Sequence, residues 1–227
     1  MIAWIIGGGY VTAEGFGTLS DKTQPKIVPG DPQIPKGKEI FKSPLLRYGR
    51  FDRYTKLGCA GIALAARDAG LDEAQEKRPI GVVLSTEYES YASDIEYYQT
   101  TLEKNGAYTS PNLFSYTLPG IVLGEMAIHF KMTGPTFIVG ESDSGTKGNK
   151  ALESAMDILQ AGLCETMIAG WLDSPPQAIA QTDTVQGSVF VALTTQQKQS
   201  SKHFIFKESR VLKNTTGREI TSILDLF

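Results

Sequence analysis

Histidine and cysteine are scarce in this chain, which has only two of each among its 227 residues. The histidines, His129 and His203, have no cysteine or glutamate at the spacing of zinc ligands, so the sequence indicates no metal site. The cysteines, Cys59 and Cys164, are too few for the disulfide framework of a small secreted domain, and a reducing, cytoplasmic setting is expected. Catalysis that depends on histidine therefore has very few candidates.

Long apolar runs and a strong net charge are also absent. No apolar run approaches the roughly 18 residues that a membrane-spanning helix requires. The N-terminal stretch MIAWIIGGGYV lacks the positive charges of a signal peptide, so no leader is expected. A net charge of −3 gives no reason to expect a nucleic acid as partner. The 41% hydrophobic and 21% charged residues are typical of a soluble globular domain with a sizeable core.

Short apolar runs bounded by glycine or polar residues recur along the chain and predict buried strands. These runs lie at residues 2–6, 80–84, 136–140 and 166–170. Two later segments, 187–193 and 203–212, alternate between apolar and polar residues and are predicted to form a pair of strands with one exposed face. Residues 16–50 are rich in proline and are predicted to be irregular.

Helix-like segments separate these strands. They lie at residues 51–71, 91–106, 119–130 and 149–162. The first has Asp52 as a candidate N-cap and Gly70 as a stop signal, and the last carries an apolar stripe at helical spacing. The alternation of buried strands and helices predicts an α/β fold, with antiparallel strands added late in the chain.

The glycine-rich stretch GGGYVTAEG follows the first predicted strand and invites a dinucleotide-binding interpretation. Its spacing fits poorly, because Thr12 stands where the third glycine of the motif belongs and a proline-rich segment follows instead of a helix. The sequence therefore favours a plain turn, in which Gly7, Gly8 and Gly9 end the first strand.

The stretch GESDSGTKG lies between a predicted strand and a predicted helix, which is where many enzymes hold a nucleophile. It nearly matches the Gly-x-Ser-x-Gly elbow, with Ser144 in place of the last glycine. A nucleophilic Ser142 would need a base, and only two histidines are available for that role. The alternative is that the serines cap the following helix. On the residues alone, the structural interpretation is favoured over a serine nucleophile.

Four stretches in one order resemble the N-terminal half of the β-ketoacyl synthases, the condensing enzymes of the thiolase fold. The similarity runs from residue 2 to about residue 195. The stretches are IIGGGYVTAEGFG, RFDRYTKLGCAGIALAARDAGL, NLFSYTLPGIVLGEMAIHFKMTGPTFIVG and GTKGNKALESAMDILQAGLCETMIAGW. The resemblance implies a layered α-β-α domain with a mixed five-stranded sheet over residues 1–227, without the C-terminal half of the family.

The resemblance also implies that the nucleophilic cysteine is missing. In the family, this cysteine lies three residues before the glycine of the elbow, which is Gly145 here, so Ser142 occupies its position. Glu141, Asp143 and Ser144 flank that serine, and two acids would oppose an oxyanion. No segment resembles the His-Gly-Thr-Gly-Thr motif of the second half. We therefore expect no catalytic residue, no cofactor and no metal.

Ketosynthase-like chains that lack the cysteine act, in the resembled family, as chain-length factors of type II polyketide and aryl polyene systems, or of fatty-acid-like synthesis. The resemblance implies a heterodimer with a full-length β-ketoacyl synthase. The pairing would use the strand formed by Thr136, Phe137, Ile138, Val139 and Gly140.

Carried over by position, the resemblance further implies a set of residues that close the end of the partner's acyl tunnel. This gate set comprises Tyr88, Ser90, Tyr91, Asp94, Phe114, Tyr116, Thr117 and Ile121. Large aromatic rings there would limit product length by their volume. The alternative for the tyrosines is ordinary half-buried packing.

A basic segment and three rival functions complete the expectations. The basic residues that could contact an acidic acyl carrier protein are Lys36, Lys38, Lys42, Arg47, Arg50 and Arg53. A solvated basic loop is the simpler interpretation. The rival functions are a decarboxylase-like enzyme using Glu141 or Ser142, a serine hydrolase using Ser142, and a purely structural subunit.

Overall fold

The computed structural model describes residues 1–73, 75–141, 145–179, 184–197, 203–208 and 211–227. Its strands are β1 (Ile2–Thr12), β2 (Gly15–Thr18), β3 (Ile80–Thr86), β4 (Thr136–Gly140), β5 (Thr166–Asp173), β6 (Gly187–Thr194), β7 (Phe204–Glu208) and β8 (Val211–Asn214). Its α-helices are α1 (Gly37–Ile40), α2 (Arg53–Asp68), α3 (Tyr91–Leu102), α4 (Pro111–Ser115), α5 (Ile121–His129) and α6 (Asn149–Gln160). Within these ranges, no helix has the length and apolar character to cross a bilayer.

All of the described strands join one mixed sheet. The order is β4-β3-β5-β6-β1-β7-β8, and β2 pairs with β1. The neighbours β4, β3 and β5 run parallel, whereas β6 runs antiparallel to both β5 and β1. The mixed character confirms the predicted fold class.

The five-stranded sheet that the resemblance implies is wrong in its strand count, because the described residues form a sheet of eight strands. The strands beyond five are β2, which the sequence did not predict, and β7 and β8, which lie in the segment predicted as one strand, and all three extend the sheet from β1. This is possible because β1 is 11 residues long. Its first residues pair with β7 and its last residues with β2, while β6 occupies its other edge.

Both late segments form strands, as predicted, but the expected exposed face is wrong for the first segment, because every residue of β6 is buried. The first of them, β6, lies between β5 and β1. The second segment divides into β7 and β8, which pair with each other, and β7 also pairs with β1. Alternation identified the strands here, but the partners are set by distant parts of the chain.

Helices cover both faces of the sheet, as the α-β-α prediction requires. On one face, α2 and α5 pack against side chains such as Leu84 and Leu172. On the other face, α6 packs against side chains such as Val83 and Trp171. Successive residues of a strand point to opposite faces, so each central strand contributes to both cores.

The glycines of GGGYVTAEG are part of a strand, so the prediction that they end the strand is wrong. They are paired with β6 and allow α2 to approach the sheet. A Cβ atom on Gly7 would lie 2.4 Å from the backbone nitrogen of Ala69, and one on Gly9 would lie 2.4 Å from that of Ala65. Gly7 and Gly9 are therefore glycines because α2 packs too closely on β1 for a side chain at these positions.

The start of α2 was predicted correctly. Asp52 is the N-cap, and its carboxylate accepts a hydrogen bond from the backbone N–H of Thr55 at 3.0 Å. The same carboxylate accepts from the Ser93 hydroxyl, which ties α3 to α2. The region 16–50 contains only short elements, in agreement with its lack of periodicity.

Candidate functional site

The candidate site lies where β3, β4 and β5 end and the chain turns toward α6. These strands are parallel, so their carboxyl ends meet at one edge of the sheet. Glu141 directly follows β4, and its backbone N–H donates to the carbonyl of Thr86 at 2.8 Å. Ser142, Asp143 and Ser144 lie outside the described residues. Gly145 lies in the turn that leads to α6 and is exposed.

The side chain of Glu141 points into the protein and is only 6% exposed. One carboxylate oxygen, Oε2, accepts a hydrogen bond from the N–H of Gly148 at 2.7 Å and another from the Ser85 hydroxyl. The other oxygen, Oε1, has no hydrogen-bond partner within the described part of the chain. Gly148 is the N-cap of α6. The carboxylate therefore lies at the positive end of the helix dipole.

A second buried carboxylate, Asp173, lies at the end of β5. Its Oδ1 accepts from the Thr86 hydroxyl at 2.9 Å and from the backbone N–H groups of Glu87 and Tyr88 at 2.8 and 3.1 Å. Its Oδ2 accepts from the indole N–H of Trp171 at 2.5 Å. Burial raises the pKa of Asp173, and these hydrogen bonds oppose that rise.

Trp171 connects this carboxylate to the turn before α6. The ammonium group of Lys147 lies 4.5 Å from the centroid of the indole ring, and both side chains are buried. Sequence reasoning did not identify Lys147, Trp171 or Asp173 as site residues. The available signal was the polar residue that ends the otherwise apolar run of β5.

Neither histidine belongs to this site. His129 packs edge-to-face against Phe41 and Phe130, with ring centroids 5.0 and 4.7 Å apart, and burial lowers its pKa. His203 is exposed just before β7, on the opposite side of the sheet from β4. Among the described residues, no histidine contacts Glu141, Asp173 or Trp171.

The cysteines do not supply a nucleophile either. Cys59 and Cys164 are both buried, and burial raises the pKa of each thiol. A raised pKa keeps a thiol protonated and unreactive at neutral pH. No cluster of three His, Cys, Asp or Glu side chains suited to a metal ion occurs in the described ranges.

The predicted gate set divides into buried and exposed members. Tyr116 is only 7% exposed and packs against Phe51, with ring centroids 6.2 Å apart. Ser90 is buried and donates to the carbonyl of Thr117 at 2.8 Å. Tyr91 and Phe114, in contrast, are 47% and 56% exposed. The half-buried members are Tyr88, Asp94, Thr117 and Ile121.

The exposed members of the gate set, Tyr91 and Phe114, belong to a larger group of exposed apolar side chains. We call this the α3–α4 surface, and its residues are Tyr91, Tyr98, Leu102, Phe114 and Leu118. Within α3, Ser93 is the only buried residue. The ring of Tyr97 packs against that of Phe114 at 5.3 Å, which joins the two helices. Exposed apolar side chains on two contacting helices are typical of an interaction surface.

The edge strand β4 lies at one end of the sheet and pairs only with β3 among the described strands. The carbonyl of Pro135 and the N–H of Glu141 both bond to β3. Backbone groups alternate in direction along a strand, so the N–H groups of Thr136, Ile138 and Gly140 point away from β3. These groups are available to a further strand.

Three of the six residues of the basic segment form ion pairs within the chain. Lys42 forms ion pairs with Asp72 and Glu73, Arg47 with Glu125, and Arg53 with Asp31. These contacts agree with a solvated loop whose charges are locally balanced.

The sequence profile described as "Beta-ketoacyl synthase, N-terminal domain" matches residues 36–203. The granaticin polyketide β-ketoacyl synthase 1 of Streptomyces violaceoruber is 30% identical over 149 residues, which cover 61% of this chain and 35% of that protein. The chain thus spans about a third of the length of this curated relative.

Three similar solved structures support the predicted fold. The ishigamide ketosynthase/chain length factor has a TM-score of 0.66 at 13% identity, over 90% of this chain and 66% of the matched chain. The ketosynthase ApeO in complex with its chain length factor ApeC, from Xenorhabdus doucetiae, has a TM-score of 0.62 at 14% identity, over 92% and 84%. A type II acyl-carrier protein in complex with its ketosynthase, AntDE:AntF, has a TM-score of 0.64 at 13% identity, over 85% and 62%. At these identities the likeness confirms the thiolase-like fold.

Proposed function

Because the chain belongs to the β-ketoacyl synthase family through its N-terminal domain, we propose that it is a non-catalytic subunit of a ketosynthase complex. In this proposal, residues 1–227 form one domain that pairs with a full-length β-ketoacyl synthase. The chain shapes the partner's acyl tunnel, as a chain-length factor does, in type II polyketide, aryl polyene or fatty-acid-like biosynthesis.

The observation that carries the non-catalytic role is the buried carboxylate of Glu141. Acyl condensation needs an anionic nucleophile and a site that stabilises an oxyanion. Here the N-cap N–H of α6 already donates to Glu141. A second negative charge about 4 Å away would be disfavoured by about 4 kcal/mol at an effective dielectric constant of about 20. The elbow therefore opposes the charge that condensation would develop.

Two features support pairing with a ketosynthase. The edge strand β4 directs backbone N–H groups outward, and the α3–α4 surface exposes apolar side chains. An added strand would satisfy the first feature, and burial of apolar area would stabilise the second. The partner is proposed to be a ketosynthase because two of the similar structures combine a ketosynthase with a chain length factor.

The gating role rests on the exposed members of the gate set. Tyr91 and Phe114 present large rings to the region that the partner would cover, so they are the residues proposed to limit the length of the acyl chain. Ser90 and Tyr116 are proposed to support them from inside the protein. The half-buried members of the gate set, Tyr88, Asp94, Thr117 and Ile121, are proposed to contribute as well.

An acyl carrier protein is the second partner that this proposal includes, because the AntDE:AntF structure contains one with its ketosynthase. Within the basic segment, the residues without an ion pair in the described structure are Lys36, Lys38 and Arg50. They are the candidates for such a contact.

Co-expression with full-length β-ketoacyl synthases from the same organism tests the proposal. We expect one of them to co-purify with this chain and the complex to condense acyl groups. Ser142→Ala and Glu141→Gln in this chain should leave that turnover unchanged, whereas replacing the partner's nucleophilic cysteine should abolish it. Loss of turnover in an assembled Ser142→Ala complex would show that this chain is catalytic.

A further inference from the structure

We propose that Trp171 and Asp173 are positioning residues that hold the loop between β3 and α3, and with it the exposed Tyr91 of the gate set. This inference rests on the proposed function for its effect on products. The contacts that support it are independent of that function.

The loop needs to be held because its backbone is strained. Glu89 has a φ of 50°, in the left-handed region that residues other than glycine rarely adopt. A strained conformation persists only where surrounding contacts determine it. Tyr91 lies two residues after Glu89, and its N–H donates to the carbonyl of Tyr88 at 3.1 Å. The position of the gate tyrosine therefore depends on the conformation of residues 87–90.

Asp173 supplies the contacts that determine this conformation. Its Oδ1 accepts from the N–H groups of Glu87 and Tyr88 and from the Thr86 hydroxyl. The Thr86 oxygen in turn accepts from the N–H of Glu89 at 2.9 Å. The carboxylate is thus linked to three consecutive N–H groups of the loop. Asp173 and Thr86 are each only 1% exposed, so water does not compete for these bonds.

Trp171 orients the carboxylate. Its indole N–H donates to Oδ2 at 2.5 Å, which leaves Oδ1 directed at the loop. The indole ring is itself fixed, because it is fully buried and lies against Lys147 in the turn before α6. One buried pair therefore connects the elbow with the loop that carries Tyr91. A phenylalanine at position 171 would keep a ring but lose the donor.

The first test is amide hydrogen exchange in the isolated chain. Trp171→Phe should raise the exchange rate of the Glu87, Tyr88 and Glu89 amides by about fivefold or more, the change that loss of one hydrogen bond produces in an opening equilibrium. Asp173→Asn should have an effect in the same direction. The matched control is Trp4→Phe, because Trp4 packs against Phe204 on the other side of the sheet. Unchanged exchange in Trp171→Phe, or equal change in the control, would overturn the inference.

The second test is the product-length profile of the reconstituted complex. Trp171→Phe should change the ratio of longer to main product by about fivefold. If Tyr91→Ala shifts the product-length profile and Trp171→Phe does not, the positioning role of Trp171 is wrong, whereas the proposed gating role of Tyr91 is retained. If loop exchange rises but neither variant shifts the profile, the positioning role is correct and the proposed gating function fails.

Discussion

Phe114 and Tyr116 are two positions apart and have different surroundings, although both belong to the gate set. Tyr116 is buried against Phe51, whereas Phe114 is mostly exposed. Tyr116→Ala should reduce the free energy of unfolding by about 3–5 kcal/mol, as truncations of buried aromatic residues do. Phe114→Ala should change it by less than about 1 kcal/mol, since mainly the contact with Tyr97 is lost.

Urea unfolding followed by circular dichroism distinguishes the two variants in the isolated chain. Equal midpoints for both would show that Tyr116 is not a core residue in solution. The stability of these two variants also decides which variants suit a test of the gating role. Tyr116→Ala would combine loss of stability with any change of tunnel shape, so a change in its products would have two explanations. Tyr91→Ala and Phe114→Ala change exposed rings and therefore report on products more directly.

At the scale of single residues, sequence reasoning succeeded where the partner is close in the chain. The N-cap at Asp52 bonds to Thr55, three residues away, and such local geometry has a clear sequence signature. Glu141 was recognised as an acid next to the elbow, but its burial was not predicted. Its hydroxyl partner, Ser85, lies 56 residues away, and only the parallel pairing of β3 and β4 brings the two together.

At the scale of secondary-structure elements, the contact between β1 and α2 yields a prediction. Gly9→Ala would place a Cβ atom 2.4 Å from the backbone nitrogen of Ala65, and a helix backbone cannot move aside as a side chain can. We expect a loss of about 1–3 kcal/mol in the free energy of unfolding, the usual cost of overpacking. Urea unfolding of the variant and the parent measures it.

Gly124→Ala is the matched control. Gly124 lies inside α5, and a Cβ atom there would meet no heavy atom within 4 Å. The substitution should be neutral or should stabilise the protein by about 0.5–1 kcal/mol, because alanine favours the helix. If Gly9→Ala is as stable as Gly124→Ala, the close packing of α2 on β1 is incorrect.

The glycines of β1 also show why some elements could not be predicted. A run of three glycines is a strong local signal for a turn, and no local feature reveals that a helix needs the space. The same holds for the number of strands. β2 and the β7–β8 hairpin are short and exist as sheet strands because the long β1 offers them an edge. The alternation of helices and strands was sufficient for the fold class, because buried apolar segments had to form layers.

At the scale of the whole molecule, the protein is well covered on both faces of the sheet but not at the β4 end. Both faces of the sheet are packed against helices, whereas β4 has intermediate or exposed residues along its whole length. Side chains of β4 still pack inward, with Ile138 on one core and Phe137 and Val139 on the other. The uncovered groups of β4 are therefore mainly those of its backbone.

This arrangement allows backbone pairing to be tested separately from side-chain packing. Ile138→Pro removes an N–H that points away from β3, and proline is tolerated in edge strands at such positions. Ile138→Val shortens the same side chain and keeps the N–H. In the proposed complex with a full-length ketosynthase, the proline variant should weaken binding by about tenfold or more, as loss of one to two hydrogen bonds does. The valine variant should bind within about threefold of the parent, since it retains the N–H.

Titration calorimetry gives the dissociation constants, and the unfolding midpoint of each isolated variant shows whether its own fold is intact. A proline variant that remains folded and binds as tightly as the valine variant would exclude strand addition at β4. The ketosynthase would then have to dock elsewhere, for example on the α3–α4 surface, and Leu102→Asp would disrupt the complex instead. A folded proline variant that no longer binds would place the interface on β4, because the two variants differ mainly in one outward N–H.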